Sequence, residues 1–532
     1  MKKKLHFIFA FALPFFSIGQ INQLASINPT GDGNPDRIFI TSNNDIFFRG
    51  NSGNGELDTQ VWNGSSLNTF NTRIGSNDNP NYFIELDGYV YFQSYFDDGI
   101  NNYGNELHRS NGRKIERVTS IIGTTGGTTN QDNFITANGK LYLVMNGGDN
   151  SVQIWMYDPS IATNATNPVK VENPADTAFS QPNNLTSGIL NGVETIILKG
   201  RWGSNSLYLL TIDPATNTYK RMEDSNGVAP LAALSLAKRN YLLASNGNYY
   251  FEGDGTNGDD ELWVTDGTIA GTKQLSDINP TGDSNPQYIT EFQGNIYFSA
   301  ENGSSEQLYV YNGITTSLVA TINPTGNANI ENLFSDGTNL YFSATNGVDG
   351  VELWKFDGTT TVMVKDINTA GDGSPSDFVS FEGRLFFSAN DGSGAKLWVT
   401  DGTLEGTVSV ASQFTTSENP IDVKEINLWD NKLVFSARGI DGVQLFNFDP
   451  ATLSVYSHDF TSLKMYPNPT TDYLMFSEGL SGSSYVIYDV MGKRLQNGTL
   501  GSGKLNLNLN TGVYIIKVDN NSTKLTKKLI IK

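Results

Sequence analysis

The chain has 532 residues, a formal net charge of −20 and no cysteine. Disulfides, thiolate catalysis and cysteine-ligated metals are therefore excluded, and so acidic a chain is expected to repel nucleic-acid backbones. Aromatic residues and glycine are frequent, with 30 Phe, 23 Tyr and 54 Gly, which predicts many strands joined by tight turns and hence an all-β fold.

Residues 1–19 have the pattern of a secretory signal peptide. Three lysines at 2–4 precede an apolar run at 5–16, and small residues follow at 17 and 19. The run is too short for a membrane span, so we expect a mature chain that starts at Gln20 and has no transmembrane anchor.

A sequence repeat then occupies residues 20–460. Each copy contains one apolar run, and the last large apolar residue of that run recurs every 44 to 55 residues. The markers are Phe48, Phe92, Leu143, Leu198, Phe251, Phe298, Phe342, Phe387 and Phe435. Each copy holds four strand-sized pieces, which in the sixth copy are 287–292, 295–300, 307–311 and 317–322. This pattern predicts a large β-propeller of four-stranded blades, about nine in number. Eight blades with one irregular unit, or two smaller propellers in series, are the alternatives.

Two kinds of loop are long and polar, those between the second and third strands and those that link successive blades. In a propeller both emerge on one face, which is the predicted binding surface. The candidate ligand-binding residues in the blade links are Asp32, Asn34, Asp283, Asn285 and Asp372. The sequence of an insertion at 230–238, which would lie on this face, favours a short helix.

Two segments could supply the outermost strand of the last blade and so close the ring. One is the first strand after residue 21, and the other is residues 452–457.

Oxygen-rich loops make calcium the most specific metal hypothesis. Asp254, Asn257, Asp259 and Asp260 form a dense group of hard ligands, although the same residue types also occur simply in turns. Of three histidines, His108 stands where other copies have Trp263 or Trp354, which indicates a packing role. The chain therefore has too few histidines to favour a histidine-ligated metalloenzyme or a Ser-His-Asp hydrolase.

The repeat pattern ends at residue 460, and a different sequence follows it. KMYPNPTTDY, YDVMGK and GVYIIKV follow one another and lead to a lysine-rich end. The segment 461–532 resembles the C-terminal sorting domain of the type IX secretion system of Bacteroidetes, which implies a small β-sandwich that is recognised by the secretion machinery and directs the protein out of the cell or onto its surface. The matching residues are Pro467, Asn468, Pro469, Gly492, Lys493, Gly512, Lys527 and Lys528.

The repeats carry a second resemblance. ELWVTDGT at 261–268, ELWKFDGT at 352–359 and KLWVTDGT at 396–403 are similar to the ELWxxDGT repeat of large secreted bacterial proteins. The resemblance implies a fold and no particular activity.

Taken together, these features predict a secreted, non-enzymatic recognition or adhesion module for glycan or protein ligands. A hydrolase or lyase that uses channel carboxylates on polysaccharides, and a structural surface component, are the alternatives.

Overall fold

A computed structural model describes most of the chain. The described residues are 21–72, 78–97, 102–119, 127–128, 134–146, 152–161, 168–171, 180–201, 207–222, 231–232, 241–254, 258–413, 419–453, 465–466, 468–476, 483–489, 493–501, 504–519 and 524–532. The predicted signal peptide at 1–19, Asn257, Pro467 and Gly492 lie outside these ranges. The chain divides into two compact units, Met1–Pro450 and Ala451–Lys532.

The described residues of the first unit form nine four-stranded antiparallel blades. The strands pair in chain order from an inner to an outer strand, except that the last blade takes its outer strand from the N-terminus of the chain. The inner strands are β2 (Asp36–Ile40), β6 (Asn81–Leu86), β11 (Ile135–Ala137), β15 (Ser180–Leu190), β20 (Tyr241–Leu243), β24 (Gln287–Phe292), β28 (Glu331–Ser335), β32 (Ser376–Phe381) and β36 (Ile421–Trp429). We number the blades 1 to 9 in this order.

The remaining strands follow the same plan. The second strands are β3 (Ile46–Asn51), β7 (Tyr89–Asp97), β12 (Lys140–Asn146), β16 (Val193–Arg201), β21 (Tyr249–Asp254), β25 (Asn295–Glu301), β29 (Leu340–Thr345), β33 (Arg384–Asn390) and β37 (Lys432–Gly439). The third strands are β4 (Leu57–Trp62), β8 (Asn102–Ser110), β13 (Val152–Tyr157), β17 (Leu207–Asp213), β22 (Asp260–Thr265), β26 (Glu306–Tyr311), β30 (Val351–Phe356), β34 (Ala395–Thr400) and β38 (Gly442–Phe448). The outer strands are β5 (Leu67–Phe70), β9 (Ile115–Arg117), β14 (Val169–Lys170), β18 (Thr218–Arg221), β23 (Lys273–Gln274), β27 (Thr316–Ala320), β31 (Thr361–Lys365), β35 (Val408–Ser409) and, in blade 9, β1 (Ile21–Ala25).

The nine blades form a closed ring, as in a β-propeller. The inner strands of neighbouring blades contact each other from blade 1 to blade 9, and β36 of blade 9 contacts β2 of blade 1. Between blades 4 and 5 the contact is made by Gly188 and Leu243. The N-terminal strand β1 pairs with β38 and so completes the last blade, while Pro450–Thr452 is a short 3₁₀ helix. The N-terminal strand predicted to close the last blade therefore does so. Of the alternative at 452–457, residues 454–457 lie outside the described residues.

The core lies between adjacent blades. All nine marker residues sit on second strands and are completely buried. In blade 6, Ile296, Tyr297 and Phe298 are 2%, 5% and 0% exposed. Since neighbouring sheets cover both faces of these strands, the continuous apolar runs are explained. Burial of each large side chain contributes about 1.5–3 kcal/mol to stability.

Two short strands bridge neighbouring blades. β10 (Gly127–Thr128) lies between β8 and β12, and β19 (Leu231–Ala232) lies between β17 and β21. Of the insertion at 230–238, Leu231 and Ala232 are extended and find backbone partners on both sides. Its other residues lie outside the described ranges, so the short helix there stays a prediction. Outside the strands, a 3₁₀ helix spans Val410–Gln413.

The second unit is a small sandwich of two antiparallel sheets. One sheet has the order β39 (Met465–Tyr466), β40 (Tyr473–Phe476), β43 (Lys504–Asn506), and the other has the order β42 (Arg494–Thr499), β41 (Ser484–Asp489), β44 (Gly512–Asp519), β45 (Lys524–Ile531). Leu474 and Leu505 from the first sheet pack against Ile487, Ile516 and Leu529 from the second. The alternating apolar residues thus fill the core between the sheets.

Candidate functional site

The links between blades are preformed loops. Four of them, at residues 26–35, 275–286, 321–330 and 366–375, share an asparagine whose Nδ2 donates to the carbonyl four residues later, at 2.7–3.2 Å. These asparagines are Asn28, Asn279, Asn323 and Asn368. Because each loop is closed by its own side chain, its shape does not depend on a ligand.

Three of the predicted binding residues tie a link to the preceding blade. Asp32 accepts from the backbone N–H of Val443 at 3.0 Å, as Asp283 does from Asp260 at 3.0 Å and Asp372 from Val351 at 2.9 Å. These contacts place the links beside the loops between the second and third strands, so the prediction that both kinds of loop share a face is confirmed. The N–H of Val443 and the guanidinium of Arg438 also lower the pKa of Asp32.

Asn34 and Asn285 occupy equivalent left-handed positions. Both have φ of 45°, a conformation that asparagine tolerates better than most residues. Asn34 is exposed at the start of blade 1, whereas Asn285 lines a cavity. The five predicted residues therefore do not form one site.

A cavity of about 560 Å³ lies on the loop face between blades 6, 7 and 8 and is here called the main cavity, although a cavity beside Arg37, Asp377 and Glu425 has the same volume. Its walls come from links 275–286, 321–330 and 366–375 and from the strands beside them. The residues that matter below are Asn285, Gln287, Tyr288, Glu301, Glu306, Glu331, Ser374 and Pro375. The lining combines amides, hydroxyls, carboxylates and one tyrosine and contains no lysine or arginine.

Two carboxylates in the main cavity face each other across a strand pair. Glu301 on β25 is the cross-strand partner of Glu306 on β26. Glu306 Oε1 accepts from Ile330 N at 2.9 Å. Burial raises the pKa of Glu306 to about 7, and the charge of Glu301 adds to this rise. Near neutral pH, Glu306 can therefore donate or accept a proton.

A second set of residues lines the ring at its inner strands. Most inner strands contain a β-bulge at which one residue has φ between 53° and 61°. These residues are Arg37, Tyr82, Tyr288, Asn332, Asp377 and Glu425, and β36 has a second one at Asp422. Sequence reasoning missed them because their side-chain types differ from blade to blade.

Some bulge residues hold neighbouring blades together. Asn332 donates to the carbonyl of Pro375 at 3.2 Å, Asp377 accepts from the N–H of Glu425 at 3.1 Å, and Glu425 accepts from the N–H of Ile38 at 2.9 Å. The last contact joins blade 9 to blade 1. Ring closure is thus supported at the axis as well as at the outer strand β1.

The predicted calcium residues lie at the tip of blade 5. Asp254 and Asp260 are cross-strand partners, and burial together with the Asp254 carboxyl raises the pKa of Asp260 to about 8. Asn257 lies outside the described residues. Within the described part of the chain, no group of three or more His, Cys, Asp or Glu side chains is arranged to hold a metal. Calcium binding by Asp254, Asn257, Asp259 and Asp260 stays a prediction.

The repeat motif itself is structural. Asp266, Asp357 and Asp401 accept from the N–H two residues ahead at 2.8–2.9 Å, which is the geometry of an Asx turn. His108 is 1% exposed and stacks on Phe92, so its predicted packing role is confirmed.

The sorting motif residues shape the second unit. Asn468 donates to the carbonyl of Lys528 at 2.8 Å and accepts from the N–H of Ile530 at 2.9 Å, which ties the turn before β40 to β45. Lys493 closes the hairpin turn through its N–H to Asp489 Oδ1 at 2.9 Å. Gly512 begins β44 beside the hydroxyl of Tyr514, Pro469 follows a cis peptide bond, and Lys527 lies on β45.

Comparison with known families identifies this unit. Residues 464–532 match the family described as secretion system C-terminal sorting domain. They form a type IX secretion sorting domain. The chain is therefore a secreted cell-surface protein that interacts with the secretion machinery. Among the described residues, no helix is both long and apolar enough to cross a membrane.

Three further proteins share similarity with this chain. Ulvan lyase NLR42 of Nonlabens ulvanivorans is 29% identical over 107 residues, which is 19% of this chain and 20% of the lyase. PorZ, a surface component of the type IX secretion system of Porphyromonas gingivalis, is 13% identical with a TM-score of 0.35 over 92% of this chain and 64% of PorZ. The β-propeller domain of the Trilobed protease from Pyrococcus furiosus is 10% identical with a TM-score of 0.32 over 70% of this chain and 95% of that domain. The propeller assignment made here rests on the strand pairing and the closed ring.

Proposed function

We propose that the ring is a non-enzymatic recognition module that binds a glycan in the main cavity at the cell surface. The observation that carries the proposal is a polar cavity of about 560 Å³ on the face where the links meet. This volume is within the usual range for small-ligand sites and suits a few sugar units.

Unused polar groups in the cavity support a ligand rich in hydroxyls. The side chains of Asn285, Gln287, Glu301 and Glu331 line the main cavity and make no hydrogen bond within the described part of the chain. Carboxylates accept from hydroxyls and amides both donate and accept, while Tyr288 offers an aromatic face. With carboxylates and no basic residue in the lining, the preferred glycans are neutral or amine-bearing rather than sulfated or uronate-rich.

Direct binding to the mature full-length chain tests this proposal. Calorimetry against neutral, amine-bearing and acidic oligosaccharides should detect binding of the first two classes. Q287A and E331A should each weaken it about tenfold, which corresponds to ~1.4 kcal/mol for a lost hydrogen bond to the ligand. The control is L404A, at a 56% exposed side chain in a turn between the third and outer strands. Binding that is unchanged in both cavity variants, or confined to acidic glycans, contradicts the proposal.

A polysaccharide hydrolase is the second candidate. The paired Glu301 and Glu306, with the pKa of Glu306 near 7, favour it because such enzymes use two carboxylates, one as acid and one as base or nucleophile. The partial match to a protein named ulvan lyase is compatible with this polysaccharide-degrading alternative. Release of reducing ends that E306Q abolishes, with folding retained, would replace the recognition proposal by this one.

Membership of the ELWxxDGT repeat class is a further proposal. It is supported by the shared roles of the motif: the first Glu ties the link to the blade, and the Asp caps the turn. A protein ligand and a purely structural surface role stay as hypotheses. Failure to bind any glycan, with retention at the surface through the ring, would favour them.

A further inference from the structure

Blade 1 contains an arginine that bridges two blades. Arg49 lies on β3, and its Nε and Nη2 donate to the two carboxylate oxygens of Asp36 on β2 at 2.7 and 2.5 Å. Its Nη1 donates to Asn79 Oδ1, in the link to blade 2, at 2.5 Å. The side chain is only 15% exposed. The guanidinium therefore fills the space between an inner strand and the link that follows the blade.

Blade 6 has the same arrangement with a serine in place of the arginine. Ser299 is the cross-strand partner of Gln287, in the register that joins Arg49 to its aspartate. Asn329 lies two residues before the next inner strand with φ of 48°, and Asn79 has the equivalent place with φ of 47°. The same three positions are thus present, but the side chain between the strand and the link is much shorter.

Blade 7 repeats the blade 6 arrangement with a carboxylate. Ser343 is the cross-strand partner of Glu331, and Ser374 takes the place of Asn79 with φ of 45°. All six residues at these positions of blades 6 and 7 line the main cavity. The main cavity therefore includes two copies of the space that a guanidinium fills in blade 1, each opened by a shorter side chain.

Blade 9 supplies a second guanidinium at a neighbouring position. Arg438 on β37 donates to Asp32 in link 26–35 at 3.0 Å and to Asp422 on β36 at 3.2 Å. It lies three residues after the marker phenylalanine of its blade, and Glu301 has that position in blade 6. Where blades 1 and 9 place cations between a strand and a link, blades 6 and 7 have serine and glutamate.

The carboxylates of the main cavity therefore lack the cationic partners that the chain provides elsewhere. The side chains of Glu301 and Glu331 make no ion pair or hydrogen bond within the described part of the chain, and the lining has no lysine or arginine. Carboxylates form their strongest hydrogen bonds with guanidinium and ammonium groups. Sugar hydroxyls alone would leave these charges unbalanced.

We propose that the ligand of the main cavity carries a cationic nitrogen group, which pairs with Glu331 as Arg49 pairs with Asp36. For the source of this group the inference rests on the proposed function and commits to an amino sugar within a glycan. The pairing itself does not depend on that source. An ammonium group has three hydrogens to donate, and Ser374 offers a hydroxyl oxygen where Asn79 offers a carbonyl oxygen.

Calorimetry with a matched pair of oligosaccharides tests the charge directly. A β-1,4-linked glucosamine trimer and its fully N-acetylated form share one backbone but differ in the ammonium groups. At pH 6 the mature full-length protein should bind the amine form at least about tenfold more tightly, and E331Q should reduce this preference to about threefold or less. The control E405Q removes an equal charge at an exposed side chain in the turn between the third and outer strands of blade 8 and should keep the preference. Equal affinity for both forms, or a preference that E331Q leaves unchanged, overturns the proposal.

A tethered guanidinium tests the same pairing without a ligand. S343R recreates in blade 7 the pair that Arg49 forms with Asp36, at a position where blade 1 accommodates the longer side chain. E331Q should lower the unfolding temperature of S343R by at least about 1 °C but should not lower that of the wild type. S343R should also lose binding of the amine-bearing trimer. If S343R does not fold, S343K places an ammonium group on a more flexible stem and enters the same comparison. An equal effect of E331Q in both backgrounds contradicts the pairing.

The two experiments separate this inference from the proposed function. If both trimers bind equally, the glycan function stands and the cationic group is refuted. If neither trimer binds but E331Q selectively destabilises S343R, the proposed function fails and the pairing site is retained, with an arginine side chain of a protein partner as its ligand. If neither trimer binds and E331Q acts equally in both backgrounds, both proposals fail.

Discussion

Gln444 offers a direct test of how the ring is closed, because it connects segments far apart in the chain. Its amide binds link 26–35, which directly follows β1, the strand that completes blade 9. Gln307 makes the equivalent bonds to link 321–330, which is continuous with blades on both sides. Gln444→Ala and Gln307→Ala therefore remove the same chemistry at a ring-closing and at an internal position.

The local cost of the two substitutions should be similar. The shortest bonds to the link that each substitution removes are one from a backbone N–H and two to carbonyls, which at about 1 kcal/mol each gives ~3 kcal/mol. In Gln307→Ala the freed link stays anchored between β27 and β28. In Gln444→Ala the freed segment includes the chain end, which gains more conformational freedom when it detaches.

Urea unfolding combined with limited proteolysis distinguishes the two variants. Both midpoints should shift to lower urea, but only Gln444→Ala should be cut rapidly within the first forty residues under native conditions. Equal resistance of the two variants at the N-terminus would show that β1 is held without this side chain and would refute the reasoning. A loss well below 1 kcal/mol in both would show that water replaces the amide.

Two further changes test the repeat turns and the buried histidine. Gly406→Ala places a Cβ at 2.0 Å from Asp401 Oδ1, so urea denaturation should show a decrease of ~2 kcal/mol in the free energy of unfolding. In the control Gly282→Ala the nearest atom is 3.6 Å from the new Cβ, and the free energy of unfolding should change by no more than ~0.5 kcal/mol. Burial lowers the pKa of His108 to about 4, so the unfolded chain binds the proton more tightly and stability falls as pH drops from 6.5 towards 4. Over this pH range the unfolding temperature of His108→Phe should fall less than that of the wild type, and the difference should correspond to up to ~3 kcal/mol in the free energy of unfolding. Parallel curves for the two proteins would contradict the lowered pKa of the buried His108.

The fold was predictable because its signals are local. The triplet Ile296, Tyr297 and Phe298 is apolar on both faces of its strand, and this alone indicates cover from two sides. The predicted second strand, 295–300, differs from β25 by one residue. The PNP turn and the YDVMGK hairpin were equally local and identified the sorting domain. The completion of blade 9 is not local, since its fourth strand is β1, which pairs with β38 from the far end of the ring.

The site was less predictable because its determinants are partners distant in sequence. Asp32 and Asp283 have the residue types of a binding loop, but their carboxylates accept from backbone N–H groups at Val443 and Asp260. No pattern near Asp32 reveals a partner 411 residues away. The bulge residues were hidden for a different reason, since their backbone conformation is shared while their side chains range from Arg37 to Glu425.

These observations explain why repeated polar residues are poor guides to function in this chain. Each blade needs the same few polar side chains to close its link, cap its turn and bind its neighbour. The side chains that recur therefore already make hydrogen bonds within the fold. A ligand can use only groups in excess of that requirement. In blades 6 and 7 the excess is visible: Gln287, Glu301 and Glu331 belong to no recurring contact and lie in one cavity. Binding is therefore expected where the repeats differ from each other, at the main cavity, rather than where they agree.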